Sequence, residues 1–196
     1  EHQPMSYGAL PKVIGEQIEI DCREFMFYQY LPVKMAGNTD MRSEPRLACF
    51  ERVIGAACCD FIAFRGLDEF VSSYVYVTAR HLYQTPGCSF NRPGWHSDGF
   101  LTDDINYVWC DRCPTLFNSS RFQLTLDDEA SLAEMDAQAE ERLSIQYPVN
   151  TLLRLDQFCI HRVADFTEPM VRTFVKVSIS RDRYDLRGNS HNGMFD

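Results

Sequence analysis

No stretch of the chain approaches the roughly 20 consecutive apolar residues that a membrane-spanning helix needs. Excess positive charge is also missing. Nineteen Lys and Arg stand against 28 Asp and Glu, a formal net charge of -9, the opposite balance from a protein that grips a polyanion along its length. There are no internal repeats, no low-complexity tract and no Gly/Ser linker, so the 196 residues are expected to form one domain. Glu1-His2-Gln3-Pro4-Met5 carries no signal-peptide pattern. The eight cysteines sit largely among apolar neighbours, as in Ala56-Ala57-Cys58-Cys59 and Phe158-Cys159-Ile160. They are expected to be free thiols of a cytoplasmic protein, not a disulfide frame. Cys110-Asp111-Arg112-Cys113 has the spacing of half a zinc site, but no second CxxC or nearby His pair completes it.

What is present is pattern. The aromatic residues are mostly Phe and Tyr, a composition suited to strands with a lined interior. Residues 17–35 alternate in part and then turn aromatic, which reads as extended chain. Pro45 opens a helix whose apolar stripe is Leu47, Phe50, Val53, Ile54, Ala57 and Cys58, ending near Gly66. Short strands are expected at 74–78, 105–109, 122–126, 151–155, 158–163 and 171–180. A helix capped by Asp127 or Asp128 is expected to run to about Leu143 with Leu132, Met135 and Ala139 on its apolar side. Strands at this spacing favour a barrel or sandwich over a doubly wound sheet. The expected layout is a strand-and-helix buttress over 1–68, a strand-rich core over 69–183 and a tail over 184–196.

His96-Ser97-Asp98, then His161, then Arg172 eleven positions later, carry the chemistry. On an extended strand His96 and Asp98 point to the same face, and Gly99 permits a turn directly after them. His161 ends an apolar run that turns at Asp156-Gln157. A histidine in that setting needs partners for its ring nitrogens, either in the core or on a metal. Two imidazoles and a carboxylate can occupy one face of an octahedral metal and leave the other open. Arg172 opens a strand with Thr173, Val175, Val177 and Ile179 on one face and Phe174, Lys176, Ser178 and Ser180 beside Arg172 on the other. That second face either meets water or turns Arg172 inward to hold a carboxylate through its two-pronged guanidinium.

Together His96-x-Asp98, His161 and Arg172 resemble the Fe(II)/2-oxoglutarate-dependent oxygenases, and residues 152–175 look like the last strands of the prolyl-hydroxylase-like branch. The resemblance covers roughly residues 74–183. It implies a mainly β protein with flanking helices, built as a double-stranded β-helix (a jelly roll, cupin-like). It implies Fe(II) on His96, Asp98 and His161, with 2-oxoglutarate and O2 as cosubstrates and Arg172 on the distal carboxylate of 2-oxoglutarate. The implied reaction hydroxylates a C–H bond and releases succinate and CO2. A hydroxyl beside the arginine is also implied, for which Tyr83, Tyr107 and Ser178 are candidates; Trp95 and Phe100 are candidate pocket walls. His81 is a rival ligand with no acid two positions away, Lys176 and Arg181 are rival anchors, and His191 falls in the tail. The charge balance places a small-molecule substrate first, with a nucleobase or a protein side chain as alternatives. A non-oxidative cupin-like metal protein, which would not need Arg172, is the rival from another class. The helix near 128–143 is expected to be either a substrate gate or a buttress.

Overall fold

The computed structural model describes residues 6–196, so the N-terminal segment without a signal-peptide pattern, residues 1–5, lies outside the described residues. The chain opens with β1 (Lys12–Ile14) and β2 (Met26–Lys34). A 3-10 turn, Pro45–Phe50, runs into α1 (Glu51–Arg65), and Gly66 at φ 96° separates α1 from α2 (Leu67–Ser72). Next come β3 (Tyr74–Gln84), β4 (His96–Ser97), β5 (Ile105–Cys110) and β6 (Leu116–Asn118). After α3 (Asp128–Gln138) follow β7 (Ser144–Gln146), β8 (Leu152–Leu155), β9 (Ile160–Arg162) and β10 (Met170–Ser180).

The strands form two antiparallel sheets, one of six strands in the order β1-β8-β5-β10-β3-β2 and one of four in the order β4-β9-β6-β7. The expectation of a mainly β protein with few, flanking helices is met. Strand β10 lies inside the larger sheet. It pairs with β3 from Met170↔Gln84 to Ser180↔Tyr74 and with β5 from Phe174↔Cys110 to Ile179↔Ile105.

Alternation along β10 assigns the two layers. Val175, Val177 and Ile179 join Val75, Val77, Ala79, Tyr107 and Trp109 in the main core. Val53, Ile54, Ala57 and Phe61 of α1 cover that face from outside. The opposite face of β10 is polar, yet Arg172, Lys176 and Ser178 are buried as well. That face looks toward the smaller sheet, so the space between the sheets is polar on one side.

Several expectations shift. Residues 122–126 form no strand, because their amides are taken by α3: Gln123 N donates to Gln138 Oε1 and Thr125 N to Glu134 Oε2. Helix α3 stops at Gln138, well short of Leu143. Asn118 Nδ2 and Ser120 Oγ bind the Glu140 carbonyl and amide and draw the chain out of the helix toward β6. The extended reading of 17–35 condenses to a strand over Met26–Lys34. Short β1, β6 and β7, and α2, were not expected from the sequence; three-residue strands carry too few alternations to be read. The residues after 184 do not trail freely: Ser190 N donates to Gln29 O, and Asn192 Nδ2 to Pro32 O and Arg42 O. No helix among the described residues is long and apolar enough to cross a membrane.

Phe50 is fully enclosed where the 3-10 turn meets α1. Phe50→Ala is therefore expected to cost about 4 kcal/mol through lost burial and the cavity left behind, read as a lower urea midpoint. Leu126→Ser, at a side chain that is 70% exposed, is expected to stay within about 0.5 kcal/mol of the parent.

Candidate metal centre

The backbone leading into His96 is held from outside its own sheet. Asp136 on α3 accepts a 2.7 Å hydrogen bond from Trp95 N. Gly94 packs directly under that carboxylate: at φ 78°, an added Cβ would come within 2.8 Å of Asp136 Oδ2. Trp95, Met135, Phe122 and Ile160 then close a small apolar core around the contact. Strands β4 and β9 pair with His96 directly opposite His161, their rings 4.6 Å apart. Phe117 of β6 packs beside His161.

Both histidines are oriented through Nδ1. His96 Nδ1 lies 2.9 Å from Gly94 O and His161 Nδ1 lies 3.1 Å from Cys159 O. A carbonyl oxygen can only accept, so each Nδ1 carries the hydrogen and each Nε2 keeps its lone pair. This is how metal-bound histidines are commonly fixed. Burial, reinforced by the neighbouring His161, lowers the pKa of His96 to about 4, so at neutral pH its ring is in the ligand form. Asp98 follows β4, with Gly99 at φ 68° turning the chain immediately after. Its Oδ2 lies 3.5 Å from His161 Nε2. The donor atoms of His96, Asp98 and His161 all fall within 4.8 Å of one another, the one such group among the described residues. The sequence-predicted triad is thus brought together, and it could hold a metal ion.

Lys176 completes the electrostatics. Its Nζ donates to Asp98 Oδ2 at 3.1 Å and to Tyr30 Oη at 3.0 Å. Burial alone would raise the Asp98 carboxyl, but Lys176, with His161 and His96, holds it well below the usual carboxylate range. Burial alone would lower Lys176, but Asp98 and Tyr30 hold its pKa above the ordinary value. The pair is ionised and nearly enclosed, with side chains 10% and 19% exposed. Tyr30 reaches this position from a bulge in β2, at φ 46°. The sequence marked Lys176 as a rival anchor; the structure ties it to the carboxylate of the triad. Its place on the same face as Arg172 was legible in the alternation of β10, whereas Tyr30 left no signal.

Arg172 is 1% exposed. Nε donates to Arg112 O at 2.8 Å and Nη2 to Cys113 O at 3.0 Å, while Nη1 has no protein partner. The CxxC segment therefore serves as a carbonyl shelf for this guanidinium, and the turn at Cys113 has φ 44°. Its two cysteines join no metal-ligand group among the described residues. Arg172 and the triad line one cleft of about 270 Å³, with Thr115 and Phe174 among its walls.

Other expected site residues lie elsewhere. Tyr107 points into the main core and donates to Asp60 Oδ2 on α1, on the opposite sheet face from Arg172. Tyr83 is 58% exposed; it faces Val171 in the register, so it too is on the other face. Ser178 donates to Asn106 Oδ1 and sits six residues from Arg172 on one strand, about 20 Å away. The hydroxyl-bearing residues that line the cleft are Tyr30, Thr78 and Thr115 instead. Trp95 is core, while Phe100 lines a neighbouring cleft that shares Asp98. His81 bonds Thr173 Oγ1 away from the triad, Arg181 faces Glu69 at 3.8 Å, and His191 pairs with Asp196. No family model and no curated protein matches the sequence, so the chemistry of the site is read from its own donor atoms.

Removing one member of an enclosed ion pair strands the other. Asp98→Ala is expected to abolish binding of a divalent metal and to destabilise the protein by roughly 3 kcal/mol. Adding Lys176→Met should return most of that stability without returning the metal. Urea unfolding and metal titration of the three proteins check this; equal stability of the single and double variants would show that the pair is not the cause.

Proposed function

We propose that the chain is a non-haem Fe(II)- and 2-oxoglutarate-dependent dioxygenase of the prolyl-hydroxylase-like branch, hydroxylating a C–H bond of a small molecule. The observation that carries this reading is that buried Arg172, whose Nη1 has no protein partner, lines the same cleft as the triad. An enclosed guanidinium with one nitrogen unsatisfied suits an anionic group of a cosubstrate. The donor set supports Fe(II): two neutral imidazoles and one carboxylate, from one side of the cleft, match the ligand type of such centres. Strand order supports the jelly-roll reading. From β3 onward, β3, β5, β8 and β10 fall in the larger sheet and β4, β6, β7 and β9 in the smaller, with the ligands on β4, β9 and the turn after β4.

When bound, Fe(II) with 2-oxoglutarate and O2 supplies the oxidation: one oxygen atom enters the substrate C–H bond and the other enters succinate, with loss of CO2. The residues of the chain position and shield. His96 and His161 offer Nε2 lone pairs already oriented by backbone carbonyls. Asp98 supplies the negative charge, and Lys176 holds one of its oxygens. Arg172 receives the distal carboxylate of 2-oxoglutarate on Nη1, a charge-assisted contact that is stronger than a neutral one. Val108, Val163 and Phe174 are the apolar residues lining the cleft and would limit water around that carboxylate.

Succinate release from 2-oxoglutarate, with Fe(II) and ascorbate, tests the reading directly. Arg172→Lys keeps the charge but loses the planar geometry, so the Kd for 2-oxoglutarate is expected to rise about tenfold with metal affinity unchanged. Tight metal binding with no 2-oxoglutarate binding in the parent protein would instead favour a non-oxidative metal protein.

A further inference from the structure

The cleft holds more positive charge than the proposed chemistry uses. Arg80 of β3 faces Phe174 in the register, diagonal to both Arg172 and Lys176 on β10. Diagonal neighbours across paired strands lie about 7–8 Å apart, so three cations surround one phenylalanine on a covered sheet face. Arg92 adds a fourth from the loop ahead of β4, exposed at the rim of the same cleft. Asp98 is the only carboxylate among the described residues lining that cleft.

Lys176 is matched by Asp98, and Arg172 is assigned to 2-oxoglutarate. Arg80 and Arg92 have no anionic partner among the described residues. Arg80 is 8% exposed. Its Nη1 donates to Phe90 O and Asn91 Oδ1, its Nη2 donates to Gln29 Oε1, and its buried Nε has no protein partner. All three acceptors are neutral, and a buried guanidinium without an anion is costly. Phe27 packs against it from the solvent side, 5.1 Å from ring centre to guanidinium carbon. Burial lowers the pKa of Arg80 from its ordinary value, and Arg172 pushes the same way against Tyr30 and Asp98.

We propose that Arg80, with Arg92 at the rim, forms a second oxyanion subsite that takes a carboxylate or phosphate group of the substrate. The substrate is then an anionic small molecule, anchored by its charged end with its reacting carbon toward the triad. This rests on the 2-oxoglutarate reading of Arg172. Arg80 is the inner contact, already oriented by Gln29 and Asn91, and Arg92 closes on the anion from the loop.

The test is isothermal titration of the full chain, loaded with Mn(II) to prevent turnover and saturated with 2-oxoglutarate, using inorganic phosphate and acetate as separate probes. At least one probe is expected to bind at a single saturable site, and the stronger one identifies the oxyanion class. Arg80→Gln should weaken that binding about tenfold and Arg92→Ala about threefold, consistent with loss of a charged hydrogen bond. Arg92 is exposed, so its variant keeps the measurement decisive even if Arg80→Gln folds poorly. The subsite is overturned if 2-oxoglutarate binds but neither probe does, if neither variant weakens the probe, or if the probe merely displaces 2-oxoglutarate. Failure of 2-oxoglutarate to bind the Mn(II)-loaded parent would overturn the proposed function. Phosphate binding lost in Arg80→Gln would in that case still place an oxyanion site at Arg80.

Discussion

A strand inside a sheet and covered on both faces must bury whatever it carries, and β10 carries Arg172 and Lys176. Each enclosed cation needs an acceptor close by. Lys176 draws Asp98 and Tyr30 toward itself, and Arg172 draws the carbonyls of Arg112 and Cys113. The turn after β4, the bulge in β2 and the CxxC turn after β5 all approach the cleft at points where these two side chains are satisfied. The other face of the same strand builds the apolar core against α1. One alternating segment thus divides a hydrophobic support from a charged interior.

The part of the candidate site that follows from period and order was legible in the sequence. The i, i+2 placement of His96 and Asp98, the later His161, and the two-faced strand from 171 to 180 all describe local geometry. The structure brings the triad and Arg172 into one cleft. The expected hydroxyls lie away from Arg172 because of strand alternation and strand length. Tyr83 and Tyr107 belong to the opposite face, and Ser178 to the right face but the wrong end. Residues 122–126 alternate as a strand would, but a helix with acceptors at Glu134 and Gln138 satisfies their amides first. Arg80 and Tyr30 depend on the β2–β3 pairing and on a bulge, which no local pattern announces.

The overall charge and the cleft charge have opposite signs. A net charge of -9 repels anions at long range, while the arginines lining the cleft attract them at close range. Salt screens the first effect over about 8–10 Å and affects the enclosed site far less. For the proposed oxyanion subsite, such an arrangement would favour small anions able to enter over extended polyanions that must lie along the whole surface.

Gly94 and Asp136 make one unit although 42 positions separate them in the chain. The glycine allows a carboxylate to rest on the backbone; the carboxylate caps the amide of Trp95, one residue ahead of a candidate metal ligand. Neither can be exchanged without consequence: a side chain at 94 would be strained at φ 78° and would displace the Asp136 carboxylate, and loss of the acid would free the approach to His96. A chimaera that exchanges the segment between β6 and β7 for another helix can keep the site only if the donor helix brings an acid to the same height above β4. The insertion is consequently not a modular accessory, and its sequence can drift freely only on the side turned away from residue 94.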